Sequence, residues 1–355
     1  MKTLTCDVLI IGAGPAGTSA AREAASKGAC VVIVDRRAVI GVPVQCGEYI
    51  PAPLLGELGI GTSFTVQPLR GIRTFVNGRL LQEIAAPGYT IRRDLFDQTL
   101  AEAAKNAGAA VFLSARALAR EDNEVIVGGK GSTLFRIRAK VIIGADGPRS
   151  TVGKWIASEN RNLVAAVQVR VCLSRPMKFA EILFDDRIYG GYGWLFPKGD
   201  EANVGVGMKN RGDGSKKIGR VLADFLSSLE AEGKIEGKPL SASAGMVPAE
   251  APRTISAGNI LLAGDAAGHT HPITGAGILQ AAIGGRMAGK WAARAVESGN
   301  LNDLENYEYE WREMFGETLE RAFSRRCMLE AGWDRLEEML RYCWVTFKEY
   351  HDAQR

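Results

Sequence analysis

The first chemistry legible in the chain is the run Gly12-Ala13-Gly14-Pro15-Ala16-Gly17. It follows an apolar stretch at 8–11 and opens an Ala-rich segment that continues to Lys27. Read as strand, turn and helix, this spacing fits a dinucleotide pyrophosphate. Gly12 permits the tight turn, Gly14 lets the backbone approach the phosphates, and Gly17 lets the helix sit against the strand. The helix start, with Ala16 in its first turn, offers free N–H groups and the positive end of its dipole. An acid about 20 residues further on should take a ribose hydroxyl. Asp35, which closes a second apolar run at 31–34, stands in that place. A Gly-rich turn with no ligand is the plain alternative, and the strand, helix and acid together weigh against it.

A second group lies far along the chain. Leu261-Leu262-Ala263-Gly264-Asp265 puts an acid directly after a buried strand pattern. Its carboxylate could accept from a ribityl hydroxyl, while Gly275, Gly277 and Ile278 supply backbone N–H groups to a flavin ring. A plain helix N-cap would also explain an Asp there. Ala145-Asp146-Gly147-Pro148-Arg149-Ser150 and Arg93 could reach the same ligand. Cys46 sits in a segment too rich in Gly and Pro for a helix. It reads either as a buried spectator thiol or as a flavin-side proton donor or redox thiol. Tyr192, Trp194 and Phe196 alternate along one strand and so share a face. They read as ordinary sheet core or as an apolar wall. His269 and His271 are helix-start polar residues or proton donors.

These groups need elements to hold them. Residues 7–35 read as a βαβ opening. A helix is expected over 94–106 and strands at 110–113 and 139–144. A meander is expected over 117–138, broken at Gly128-Gly129. Asn77-Gly78 between two strand-like runs signals a hairpin. Longer strands with aromatics occupy 163–208, followed by helices over 218–232 and 275–296. The last fifty or so residues read as amphipathic helix, with Trp333, Leu336, Leu340, Trp344 and Phe347 on one face. Such a face docks on its own domain, on a second copy or on a membrane surface. The expected class is therefore α/β. A Rossmann-like nucleotide-binding domain (1–70, 90–160, 255–300) carries an inserted antiparallel β-sheet substrate domain (71–89, 161–254) and a C-terminal helical segment (301–355).

Three segments in this order, GAGPAG, ADGPRS and GDAAGHTHPITGAGI, resemble the flavoprotein group that includes para-hydroxybenzoate hydroxylase. More narrowly, Pro43-Val44-Gln45-Cys46-Gly47-Glu48 and Tyr192-Gly193-Trp194-Leu195-Phe196-Pro197 resemble the PxxCG and YxWxFP segments of the geranylgeranyl reductase family. Residues 89–104 do so too, with Arg93 in the flavin-contacting position. The resemblance covers residues 1 to about 300. It implies FAD, held at Gly12, Gly14, Ala16, Gly17, Asp35, Arg36, Cys46, Gly47, Arg93, Ala117, Asp265, Gly275, Gly277 and Ile278. It also implies reduction of carbon–carbon double bonds in an isoprenoid chain on a lipid or quinone precursor. Tyr192, Trp194 and Phe196 would then line the substrate and Cys46 would be catalytic. Asp35 departs from the family, whose acid at this place is usually Glu. The chain also leaves little room for a long C-terminal lid.

Electrons would come from outside, from NADPH, NADH or reduced ferredoxin, because no second dinucleotide motif and no cluster motif is present. The YxWxFP segment also resembles a halogenase WxWxIP segment, which keeps an oxygen-using monooxygenase or halogenase as a rival. A non-catalytic flavin redox protein is another. Hydrophobic residues make up 46% and charged residues 24%, the balance of a globular chain. The net charge of +4 is too weak to argue for nucleic acid. None of the six cysteines forms a CxxC, and no metal site is expected. Cys6 and Cys30 lie in or beside buried-strand patterns. With no apolar run of about 18 residues and no signal-peptide pattern, the expected location is cytoplasmic, with peripheral contact to a membrane surface left open for a lipid substrate.

Overall fold

The computed structural model describes residues 2–129, 134–209 and 217–352. Two eight-stranded sheets organise them. In the first, Lys2–Ile11 lies between Val31–Val34 and Leu134–Gly144, with Ala110–Phe112 and Ile260–Leu262 extending it on either side, all parallel. Val31–Val34 is an unbroken Val/Ile run because helices and loops cover both faces. The first helix, Pro15–Ser26, carries a stripe of Ala16, Ala20 and Ala24. That stripe meets the long helix Ile278–Ser298 as well as the sheet. A Cβ on Gly285 would lie 2.1 Å from the Ala16 carbonyl oxygen, and one on Gly289 2.2 Å from that of Ala20.

Arg116–Glu121 and Glu124–Gly128 fold as an antiparallel meander onto the outer half of Leu134–Gly144. Residues 130–133, beyond the expected break at Gly128-Gly129, lie outside the described residues. Cys6 is buried, and burial pushes its thiol up to about 12. Cys30 is exposed, against its strand-side expectation, because it precedes Val31–Val34 and is held by its main chain, its N–H donating to Asp7 Oδ2 at 2.9 Å and its carbonyl accepting from the Asp7 and Val8 N–H groups.

The second sheet runs in the order 235–248, 163–173, 201–208, 192–198, 179–184, 65–76, 79–91, 49–51. Its neighbours are antiparallel except where Phe179–Phe184 lies alongside residues 71–76. The chain leaves for the first sheet between those two strands, so no hairpin constrains their direction. Asn77 and Gly78, both at positive φ, make the expected hairpin. The first sheet piece begins at Thr65 rather than 71, and Tyr49–Pro51 joins it. Pro68 and register shifts near Gln67 and Gly71 blur the alternation there.

One face of this sheet is covered by Ile218–Ala231, whose Val221, Phe225 and Leu229 pack with Leu195 and Val204. On the other face Trp333, Leu336, Leu340 and Trp344 pack with Val76, Ile182 and Phe184. The C-terminal helix stops at Cys343, earlier than its apolar spacing suggests. Trp344 is extended there, and its indole N–H donates to Thr74 Oγ1 at 3.2 Å. That aromatic face is therefore used on the chain's own sheet. Among the described residues no helix is long and apolar enough to cross a membrane.

Candidate active site

The phosphate loop is built from backbone. Gly12 has φ +107°, and a Cβ there would lie 2.2 Å from the Ala145 carbonyl oxygen. A Cβ on Gly17 would lie 1.9 Å from the Gly12 carbonyl oxygen. Gly14 alone of the three faces open space, the surface a pyrophosphate needs. Asp35 accepts from the Ala13 N–H through Oδ2 and from the Arg37 N–H through Oδ1, each at 2.7 Å. A carboxylate has lone pairs to spare beyond these two bonds, so ribose hydroxyls fit. Arg36 is exposed beside it. The Ala117 side chain is buried in the core, which leaves only its main chain for a ligand.

Asp265 sits on a single 3₁₀ turn, Gly264–Ala267, and caps no helix. Its Oδ1 accepts from Thr270 Oγ1 at 3.0 Å. Burial pushes the carboxyl up, against the pull of Thr270 and of Arg93 across the same space. Gly275, at φ +66°, holds a loop, so the long helix starts at Ile278 instead of 275. Gly277 is its N-cap residue, which leaves the first-turn N–H groups of the helix free for an acceptor.

Arg93 opens helix Arg93–Asn106 and bonds Asp97 Oδ1 at 2.7 Å. Burial opposes its charge, but Asp97 and the Cys46 sulfur outweigh burial and raise its pKa. Cys46 is half-buried, and its Sγ accepts from the Glu48 N–H at 3.2 Å. Glu48 has φ +64°, a left-handed conformation that is costly for a residue with a Cβ. Its buried carboxylate is fully used. Oε1 accepts from the Arg93 N–H at 2.8 Å, and Oε2 accepts from Lys198 Nζ at 2.5 Å and Asn203 Nδ2 at 2.9 Å. Asn203 Nδ2 also donates to the Gly47 carbonyl at 3.1 Å.

Tyr192, Trp194 and Phe196 form one half-buried row, with successive centroids 6.1 and 6.4 Å apart. Gly47 lies against it, since a Cβ there would meet the Phe196 ring at 2.8 Å. Trp194 stands opposite Gly205, which stands opposite Gln168 on the next strand. With no side chain at Gly205, the indole lies across it and Nε1 donates to Gln168 Oε1 at 3.0 Å. Gln168 Nε2 in turn donates to the Cys46 carbonyl at 3.0 Å. The Tyr192 hydroxyl donates to the Thr274 carbonyl, in the loop before Gly275, and burial raises its pKa. Arg326 anchors that loop from the C-terminal helices, donating to the Pro272 and Gly190 carbonyls at 2.7 and 2.6 Å.

Both candidate histidines are buried. His269 stacks on Trp311 at 4.0 Å, and burial drives its pKa far down. His271 Nδ1 accepts from the Thr274 N–H at 3.2 Å, so Nε2 carries the proton and faces the Tyr350 hydroxyl at 3.2 Å. Burial lowers its pKa to about 4. Arg73 pairs with Glu83. By alternation from Thr74, which meets Trp344, it projects from the face opposite the aromatic row. Arg79 pairs with Glu337, and Arg70 is exposed. Arg70, Arg73 and Arg79, whose sequence reading is either a polar head-group site or a solvated face, have separate surroundings and do not converge on one site.

Asp97, Gln168, Lys198, Asn203 and Arg326 had no sequence motif to single them out, and Glu48 stood at the end of the Pro43–Glu48 segment without a role of its own. One left a trace: Lys198 continues the 192-194-196 alternation.

The family described as FAD binding domain matches residues 5–322. Digeranylgeranylglycerophospholipid reductase 1 of Methanopyrus kandleri is 37% identical, with 94% of this chain and 96% of that protein aligned. The solved structure of a geranylgeranyl bacteriochlorophyll reductase-like protein from Thermoplasma acidophilum matches at TM-score 0.86 and 27% identity, over 99% of this chain and 94% of that one. CmlS, a flavin-dependent halogenase, matches at TM-score 0.75 and 17% identity, over 95% of this chain and 67% of that one, a likeness of fold alone.

Proposed function

The chain belongs to the FAD binding domain family and to that of the digeranylgeranylglycerophospholipid reductases, and from this premise we propose that it saturates double bonds of isoprenoid chains on a glycerolipid precursor. The open backbone at Gly14, the spare acceptors of Asp35 and the free helix start at Ile278 fit an FAD. The observation that supports the catalytic assignment is that the Cys46–Gly47 segment, with Arg93 beside the Cys46 sulfur, lies against the row Tyr192–Trp194–Phe196.

An isolated alkene is electron-rich and needs a proton as well as a hydride. Bound and reduced by an outside donor (NADPH, NADH or reduced ferredoxin), FAD supplies the hydride. The Cys46 thiol delivers the proton to the other alkene carbon as the π bond breaks, and its sulfur later recovers a proton from water. Arg93, held charged by Asp97, faces the sulfur and offsets the negative charge left there. The aromatic row holds the chain and excludes water, so proximity contributes much of the rate. At about 0.8 kcal/mol per buried CH₂, chain affinity is ample, and register decides which bond reacts.

The test is single-turnover mixing of prereduced enzyme with a geranylgeranyl glycerolipid, followed by mass spectrometry of the product. Hydrogen added in pairs is the expected result. Serine keeps the shape but is a far weaker acid, so Cys46→Ser should slow the step by roughly 100-fold at unchanged FAD content. An unaltered lipid with the wild type would overturn the reductase reading. A wild-type rate in Cys46→Ser would overturn only the role of Cys46.

A further inference from the structure

We propose that Gln168 is a positioning residue that fixes the Cys46 thiol relative to the Trp194 wall. This rests on the assignment of Cys46 and the aromatic row to one reaction space.

The segment Pro43–Gly47 has no strand or helix to define it. Irregular backbone is held only as well as its hydrogen bonds are specified. Two of the bonds on its main chain come from the facing sheet. The Cys46 carbonyl accepts a hydrogen bond from Gln168, and the Gly47 carbonyl accepts one from Asn203. Gln168 differs from Asn203 in touching the wall as well, since its Oε1 accepts from the Trp194 indole. One carboxamide therefore spans the two groups whose separation decides whether an alkene resting on Trp194 meets the thiol. Its two ends have opposite hydrogen-bond character, so both bonds form in only one orientation of the amide. Gly205 makes this possible, because a Cβ there would lie 2.2 Å from the indole and bar Trp194 from reaching Gln168. A proton donor displaced by even 1 Å loses much of its effect, so such a bridge bears on rate more than on substrate affinity.

Two substitutions separate the two ends. Gln168→Leu removes both bonds at similar volume. Gln168→Glu keeps an acceptor for Trp194 but sets a second acceptor against the Cys46 carbonyl. The first readout is alkylation of Cys46 by iodoacetamide in the FAD-loaded enzyme, mapped by peptide mass spectrometry. Both variants should react about tenfold faster at Cys46, the factor set by one lost hydrogen bond. The buried thiols Cys6 and Cys343 should stay as slow as in the wild type. The second readout is single turnover, which should fall about tenfold with KM and FAD content unchanged. Wild-type alkylation of Cys46 in both variants overturns the proposal. So does a parallel rise at Cys6 and Cys343, which would mean general loosening. Cys46→Ser separates the two readings. If it turns over normally while the Gln168 variants still expose the thiol, the bridge stands and the proton-donor assignment falls. If it is slow while the Gln168 variants behave as wild type, the bridge alone falls.

Discussion

The phosphate loop and the thiol pocket are made in opposite ways. The loop is local: Gly12, Gly14, Gly17 and Asp35 fall within one βαβ unit, and the ligand would meet main-chain N–H groups. The thiol pocket is assembled from segments near residues 46, 93, 168, 198 and 203, and side chains make nearly every bond. A backbone site tolerates changes of side chain but not of Cβ. A side-chain site should behave in the reverse way. The contrast can be broken by experiment.

The largest effect is expected at Lys198. It is buried against Glu48, so Lys198→Met strands a carboxylate in the interior at a cost of about 3–5 kcal/mol. Adding Glu48→Gln removes that charge and should restore most of the stability, because replacing a whole buried pair is far cheaper than halving it. The melting temperatures of the two single variants and the double variant measure this. If Lys198→Met is as stable as wild type, the pair is not the anchor of the Cys46 segment.

Next come the glycines of the loop. Gly12→Ala should cost about 3 kcal/mol, from positive φ and a clash with the Ala145 carbonyl. Gly14→Ala should fold normally, since nothing lies within 4 Å of its Cβ, and lose FAD affinity instead. Thermal melts paired with FAD titrations distinguish the two. Equal melting temperatures would show that the loop is not the rigid element its geometry describes.

The same contrast explains what could be read without coordinates. The loop, the strand ending at Asp35 and the Asn77-Gly78 hairpin are short-range patterns in which spacing dictates geometry. Tyr192, Trp194 and Phe196 shared a face by strand period alone. Gln168 was not legible as a partner of Cys46, because nothing local says that residues 122 positions apart meet. Glu48 was quoted within the PxxCG segment, yet its left-handed backbone goes with a carboxylate held by Lys198, Asn203 and Arg93, partners far away in the chain. His271 read as a polar helix-start residue or a proton donor. Its burial depends on Tyr350, at the far end of the described chain.

That histidine gives a pH prediction. Its folded pKa, about 4, lies below the ordinary 6.5, so the unfolded chain binds a proton the folded one refuses. The stability it confers is complete above 6.5 and is lost as pH falls toward 4, amounting to about 2 kcal/mol by about pH 5. His269, also lowered, acts in the same direction. The groups nearest His271 are the Tyr350 hydroxyl, with Arg321 and Arg325 facing that tyrosine, and Arg326 on the Pro272 carbonyl. Urea melts of wild type and His271→Gln between pH 7 and 5 should differ in slope by one proton. Parallel curves would mean that His271 titrates normally.

The smallest effect is expected where the two regions touch. The Tyr192 hydroxyl belongs to the wall, and the Thr274 carbonyl that receives its proton belongs to the loop leading to Gly275 and Gly277. Burial raises the Tyr192 pKa, so the hydroxyl holds its proton and spends it on that carbonyl. It is then a tie, in keeping with the proposal that Cys46 is the acid. Tyr192→Phe keeps the ring against Trp194 and Trp344 and deletes only this bond, a loss of about 1 kcal/mol. The expected variant melts slightly lower, keeps its FAD and turns over within a few-fold of wild type. A collapse in single turnover, with FAD content intact, would show instead that the Tyr192 proton is the one delivered to the alkene. The thiol pocket would then be the wall, and the tie would be the acid.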